Sequence, residues 1–256
     1  MIDRRTFSTS MAAGVAASLL GATNVRAAGG VRNVVLIHGL YADGSSWSEC
    51  ITRLQAAGMN VTAVQNPLTT FEDDVAAARR ALAIQDGPTV LAAHSYGGMV
   101  LSEAGVAPNV TAVVYIAARA PDAGEDYAAL AKRFPAPPAS GGIVNSDGFL
   151  RLSEAAFMND FANGVDPVKA RELYAVQQPN VATLSPNAKT TVAAWRSKPS
   201  WYAVSKQDRT INPDLERFMA ARMKATTIEI DTGHLSLVSH APEVTALILQ
   251  AAGRAN

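Results

Sequence analysis

Ser95 sits where a sequence can place a nucleophile. In "VLAAHSYGGMV", residues 90–100, an apolar β-favouring run leads into the serine, and two glycines and helical spacing follow. The frame Ala93-His94-Ser95-Tyr96-Gly97 departs by one methyl from G-x-S-x-G. That pattern puts a serine on a sharp strand-to-helix turn with its hydroxyl standing proud of the sheet. A serine hydroxyl is a weak nucleophile near neutral pH, so chemistry at Ser95 needs a base whose pKa lies close to that pH.

Four histidines are available. His94 adjoins Ser95, but neighbouring side chains in an extended segment point apart. His38 ends the first apolar run, and His240 stands just before Pro242, a helix-start or surface position. His234, in "EIDTGHLSLVSH", follows the last apolar run and is expected at the same sheet edge as Ser95, which makes it the candidate base. His234 and His240 have no further ligands at zinc-like spacing, so neither metal nor cofactor is expected.

The imidazole in turn needs a carboxylate on its other nitrogen to fix its tautomer. Asp208, in "AVSKQDRTI", follows the run before His234 and gives the chain order Ser, Asp, His. Asp122, after the run that follows Ser95, and Asp231, three residues before His234, are the alternatives. Donors for a developing oxyanion are expected from the N–H of Tyr96 and, in "HGLYADGSSW", from that of Leu40. Gly39 lets the chain turn there, and His38 is expected to brace the loop.

The elements that must position these residues alternate. "VRNVVLI", "NVTAVQ", "PTVLAA" and "VTAVVYIAA" read as strands. Between them lie helical patterns at Ser45–Ala57, Asp73–Gln85 and Gly97–Gly105. Such alternation implies parallel strands joined by right-handed crossovers, an α/β architecture. Residues 119–198 break the rhythm with "FPAPPASGG" and helical patterns at Leu152–Ala162, Pro167–Gln177 and Pro186–Trp195. This stretch reads as an all-helical cap over the strand ends, where parallel sheets bind ligands. The series resumes with strand "SWYAVS", helix Pro213–Met223, strand "TTIEI" and helix Pro242–Ala252. The expected organisation is therefore a core of residues 28–118 and 199–256 interrupted by a cap of residues 119–198.

Residues 1–27 read differently. Arg4 and Arg5 precede Phe7, Met11 to Leu20 is weakly apolar and too short to span a bilayer, and Val25-Arg26-Ala27 is a small-x-small cleavage pattern. The segment is expected to be a twin-arginine export signal removed after Ala27, with a periplasmic or secreted product. The formal net charge is zero, which leaves no electrostatic footprint for nucleic acid. The lone cysteine, Cys50, lies within an apolar helical pattern and is expected to pack in the core.

The stretches "VVLIHGLYADGSSW", "AAHSYGGM", "SKQDRTI" and "TGHLSLVSH" together resemble the α/β-hydrolase superfamily. Within it they resemble the small bacterial esterase-like branch related to plant methylesterases and hydroxynitrile lyases. The likeness runs from about Val31 to Ala252. It implies the α/β-hydrolase fold, a mostly parallel sheet flanked by helices with a helical cap inserted between two strands. It implies a triad of Ser95, Asp208 and His234, with Leu40 and Tyr96 as backbone donors, acting on a small-molecule ester without a cofactor. Two positions depart from the pattern. Ala93 replaces the usual glycine, and Leu235 stands where the lyases carry a lysine, which disfavours cyanohydrin chemistry. A lyase or perhydrolase on the same triad, or a ligand-binding receptor of this fold, are the alternatives to an esterase.

Overall fold

A computed structural model of the chain describes residues 31–254. The expected export signal and its cleavage point lie outside the described residues.

β1 (Asn33–Ile37) is buried along its whole length, as a strand covered on both faces must be. It is followed by α1 (Ser48–Ala56), β2 (Asn60–Val64), α2 (Phe71–Ala83), β3 (Thr89–His94), α3 (Gly97–Ala104) and β4 (Val110–Ile116). Asp43 caps the 3₁₀ turn at Gly44–Trp47 that precedes α1, and Thr70 caps α2 by accepting from the N–H of Asp73. After the interruption come β8 (Ser200–Ser205), α8 (Pro213–Met223), β9 (Thr226–Ile230), α9 (Ser236–Ser239) and α10 (Ala241–Ala251).

The six long strands form one parallel sheet in the order β2-β1-β3-β4-β8-β9. The chain leaves β1 toward β2 on one side and returns as β3 on the other, so a crevice opens beyond the carboxyl ends of β1 and β3. Ser95 follows β3 and Leu40 follows β1, which puts both at that crevice. Cys50 is buried, its Sγ–H reaches the Leu237 carbonyl oxygen at 3.3 Å, and burial pushes its thiol up to about 12, so it is an inert core residue.

Between β4 and β8 the structure differs from the expected all-helical segment. α4 (Tyr127–Ala131), α5 (Glu154–Ala156), α6 (Pro167–Ala175) and α7 (Leu184–Asn187) are present. With them is a three-stranded antiparallel sheet of β5 (Ile143–Ser146), β6 (Phe149–Leu152) and β7 (Asn180–Val181). β5 and β6 are joined through Asp147 and Gly148, both at positive φ (+50° and +83°), the conformation a two-residue hairpin turn requires. The helical pattern at Leu152–Ala162 becomes the end of β6, the short α5 and a π-turn at Phe157–Phe161. The pattern at Pro186–Trp195 yields only α7 and a 3₁₀ turn at Ala194–Arg196. Among the described residues, no helix is long and apolar enough to cross a membrane.

Candidate active site

Ser95 adopts φ +54°, the left-handed conformation that costs a non-glycine residue about 1–3 kcal/mol and persists only where its surroundings impose it. Those surroundings are backbone. The Ser95 N–H donates to the Ile116 carbonyl (3.3 Å), and the Ser95 carbonyl accepts from Gly98 and Arg119 N–H, each at 3.0 Å. Gly98 permits this closeness, because a Cβ there would lie 2.3 Å from the Arg119 carbonyl oxygen. Ala93 takes the place of the usual glycine without exposure or strain, fully buried in β3.

His234 Nδ1 meets Asp208 Oδ2 at 2.5 Å, in a pair with no exposed side-chain surface. Asp208 uses its other oxygen as well, for Oδ1 accepts the N–H groups of Thr210 (2.6 Å) and Ile211 (2.8 Å). With Nδ1–H directed at the carboxylate, Nε2 carries the lone pair. That nitrogen is buried and has no partner among the described residues, so no Ser95–His234 hydrogen bond is formed in this structure. Such bonds commonly tighten only with substrate present. Neither competing carboxylate reaches the imidazole. Asp122 is bound by the guanidinium of Arg196, and the exposed Asp231 faces Lys206 (3.5 Å) and Gln207 (3.1 Å).

The remaining histidines support the site from behind. His38 Nε2 accepts from Asn66 N–H (2.9 Å), so its Nδ1–H donates to the Gly39 carbonyl (2.9 Å) and braces the loop that carries Leu40. Burial lowers its pKa and keeps it neutral. His94 has a role the sequence reading missed: its Nε2–H donates to the main-chain carbonyl of His234 (3.1 Å), and the two rings lie 4.5 Å apart. Burial, then the proximity of His234, holds the His94 pKa well below its usual value, so no second positive charge stands beside the base. His240 is half-buried, with Nδ1 3.1 Å from Ser239 Oγ.

Glu216, on α8, is the second residue that sequence reasoning missed. It is fully buried, accepts from the Ser205 N–H (3.1 Å) through Oε2, and feels the charge of the nearby Asp208. Burial first, then the Asp208 charge, pushes its pKa well above its ordinary value, which favours the neutral acid beside Asp208. A signal existed, since Glu216 lies three, four and seven residues before Met219, Ala220 and Met223 and so shares their buried helix face.

Neither the Leu40 nor the Tyr96 N–H donates to another described residue. Gly39 packs so closely that a Cβ there would fall 2.7 Å from Ser95 Cβ. The Tyr96 side chain is anchored away from the crevice by Asp74, whose Oδ2 accepts the hydroxyl at 2.8 Å. Phe161, from the π-turn, closes over the imidazole of His234 at 5.2 Å between centroids and meets Tyr41 edge-on at 6.2 Å. Ser95 is only 4% exposed as a result. A cavity of about 210 Å³ opens at the same sheet edge, lined by Tyr41, Arg119, Tyr127 and Ile211 among others, with neither Ser95 nor His234 in its wall. A larger groove of about 500 Å³ runs past Ile228, Leu247 and Arg254, between β9 and α10, and contains none of these groups.

The solved structures similar to this chain share its architecture. Polyneuridine aldehyde esterase superposes with a TM-score of 0.74 at 19% identity, over 86% of this chain and 98% of that one. A pyrethroid hydrolase from Sphingobium faniae JZ-2 gives 0.71 at 17%, over 87% and 98%. A methylesterase from Arabidopsis gives 0.70 at 16%, over 87% and 99%. At these identities the likeness is one of fold. No curated protein matches the chain. The model of the alpha/beta hydrolase family matches residues 34–247, which takes in the Ser95 turn, the cap segment and the Asp208–His234 pair, and the chain belongs to that family.

Proposed function

We propose that the protein is a serine hydrolase that cleaves small carboxylic esters through an acyl-enzyme. The observation that carries this reading is the Asp208–His234 pair with its unengaged Nε2, at the same sheet edge as a serine held in a left-handed turn. In this mechanism Ser95 Oγ attacks the ester carbonyl as its proton passes to His234 Nε2. The oxyanion that forms is held by the Leu40 and Tyr96 N–H groups, neither of which is spent on another described residue. Collapse of the intermediate expels the alkoxide, which takes the proton from Nε2, and leaves Ser95 acylated. Water then repeats the sequence and releases the acid. Asp208 keeps its charge throughout and stabilises the imidazolium.

Three observations support hydrolysis of an ester in particular. The family is one of hydrolases, and the similar structures carry the names of esterases and of a pyrethroid hydrolase. Leu235, buried beside His234, supplies no cation for a cyanide-like leaving group. The cavity walls are mainly apolar side chains, suited to an ester body. Export through the twin-arginine signal is part of the same proposal, and fractionation of cells expressing the full chain tests it by finding a product shortened at Ala27 in the periplasm or medium.

The decisive test is Ser95→Ala on a panel of short-chain esters. The variant is expected to lose about 10⁴–10⁶-fold in kcat, as triad nucleophiles do. Turnover near the wild-type rate would end the proposal.

A further inference from the structure

Arg119 leaves the backbone next to the serine. Its N–H donates to the Ser95 carbonyl, and its side chain lines the 210 Å³ cavity together with Tyr41, Tyr127 and the Thr210–Ile211 turn that binds Asp208. These come from the loops after β1, β4 and β8 and from α4, so the cavity opens at the carboxyl edge of the sheet where Ser95 stands.

The guanidinium is held but not neutralised. It lies 4.9 Å from the Tyr127 ring centroid and 5.9 Å from that of Tyr96, and Nη1 donates to Ser185 Oγ at 2.8 Å. Its Nε–H is buried with no partner among the described residues. No carboxylate among them forms an ion pair with it, whereas Arg222, also half-buried, pairs with Glu125 at 2.8 Å. Two aromatic faces and one hydroxyl leave a full positive charge and a spare donor beside the cavity. Burial pushes the Tyr127 hydroxyl up to about 12 and raises that of Tyr41, with Arg119 pulling back on each, so both remain O–H groups near neutral pH. Pro135, Ile143, Leu152 and Leu215 make much of the remaining wall apolar, while Ser140 and Asn212 add uncharged polar groups and no further charge. The volume is below the ~300–1,000 Å³ of sites that enclose drug-sized ligands, so the occupant is short.

The geometry points to a carboxylate subsite: the preferred substrate is an ester whose short aliphatic chain ends in a free carboxylate, which Arg119 engages while Ser95 attacks the ester at the other end. A planar guanidinium favours a carboxylate because two of its N–H groups can meet both oxygens. A neutral chain of the same length would leave the buried Nε–H unpaired, and that asymmetry creates selectivity. This inference rests on the hydrolase reading for its reaction and on Arg119 alone for its choice of substrate.

The test compares matched esters on the wild-type protein. Monomethyl glutarate, adipate and pimelate are set against methyl esters of monoacids of equal chain length, for a carboxylate on the acyl side. Acetoxybutanoate is set against butyl acetate, for the alcohol side. On one side, kcat/KM for the charged ester is expected to exceed that of its neutral match by about 10–100-fold, with the margin shrinking as salt is added. Arg119→Gln should bring that ratio toward one, and Arg119→Lys should keep part of it, with circular dichroism confirming that both fold.

Neutral esters cleaved as fast as charged ones on both sides, or a ratio that survives Arg119→Gln, would overturn the subsite and leave the hydrolase intact. If no ester is cleaved, the hydrolase reading fails and binding judges the subsite separately. Glutarate dianion should raise the Tm of Ser95→Ala and leave that of Ser95→Ala carrying Arg119→Gln unmoved. No shift in the first protein would sink the proposal.

Discussion

Near Ser95 the Asp208 carboxylate has both oxygens engaged, while several buried donors of the same site are left open. Asp208 binds His234 with one oxygen and two backbone N–H groups with the other, and the buried Glu216, its pKa raised, lies beside it. The imidazole is fixed further by His94, which holds its main-chain carbonyl. By contrast, the Leu40 and Tyr96 N–H groups and the Arg119 Nε–H find no acceptor among the described residues. In the proposed mechanism the saturated half, Asp208 and its partners, would keep the base in one tautomer and one orientation. The open half would hold donors in place before any charge arrives to meet them. Positioning groups would then be satisfied by the protein, and reacting or binding groups by the substrate.

The comparison breaks most sharply at Asp208. In Asp208→Asn the side-chain oxygen is still demanded by the N–H groups of Thr210 and Ile211, which turns the amide NH₂ toward His234 Nδ1. The imidazole must then accept at Nδ1 and carry its proton on Nε2, the wrong tautomer for a base. A fall in kcat of about 10⁴-fold is expected with the fold intact, as when this substitution is made in other triads. Ester kinetics beside a thermal melt decide it, and a variant within tenfold of wild type would show that the saturated half is structural only.

The open half is broken at Gly39. An added Cβ would press on Ser95 Cβ at 2.7 Å and on the His94 carbonyl at 3.2 Å, so the loop that presents the Leu40 N–H must back away. A displacement near 1 Å at a reacting centre can cost about 10²-fold, and overpacking costs about 1–3 kcal/mol of stability. Gly39→Ala is therefore expected to lose about 10–100-fold in kcat with a smaller proportional change in KM. An unchanged kcat would mean that Leu40 is not a donor to the oxyanion.

The same division governs how much could be read in advance. The strand-end positions of Ser95, Asp208 and His234 and the Asp208–His234 pairing were legible, because the chemistry proposed for them needs groups that follow particular strands, and apolar runs mark strand ends clearly. The six strands of the main sheet were legible for the same reason, since β-branched runs between helical patterns permit few topologies. Glu216, His94 and Arg119 were not picked out, because each acts through a neighbour brought close only by folding: the partner of Glu216 is eight residues away, and that of His94 lies across 140. The segment between β4 and β8 was misread where its elements are shortest. β5, β6 and β7 have four, four and two residues, too few for a period-2 pattern to show, although the Asp147–Gly148 pair was a hairpin signal in plain view.

The smallest expected effect on catalysis lies behind the triad, and it sharpens the contrast by asking what saturation costs. Glu216→Gln keeps a neutral side chain beside Asp208 and an acceptor for the Ser205 N–H, so kcat should stay within a few-fold of wild type. Its effect on stability is different. In the native state Glu216 holds its proton well above the ordinary value of 4.5, whereas the unfolded chain releases it there. A group with a raised native pKa stabilises the fold fully below its unfolded pKa, and the advantage drains away as pH climbs toward the native one. Over that window this residue makes wild-type stability fall by about 1.4 kcal/mol per pH unit, and the amide has no proton to lose. Urea unfolding of the two proteins should then coincide near pH 4.5 and diverge as pH rises, with Glu216→Gln the more stable near pH 8. Parallel curves would mean that Glu216 is ionised in the fold. Glu216→Ala, which removes the side chain beside Asp208 altogether, should share the altered pH slope but lower kcat as well, separating the proton's contribution to the fold from the side chain's contribution to the orientation of Asp208.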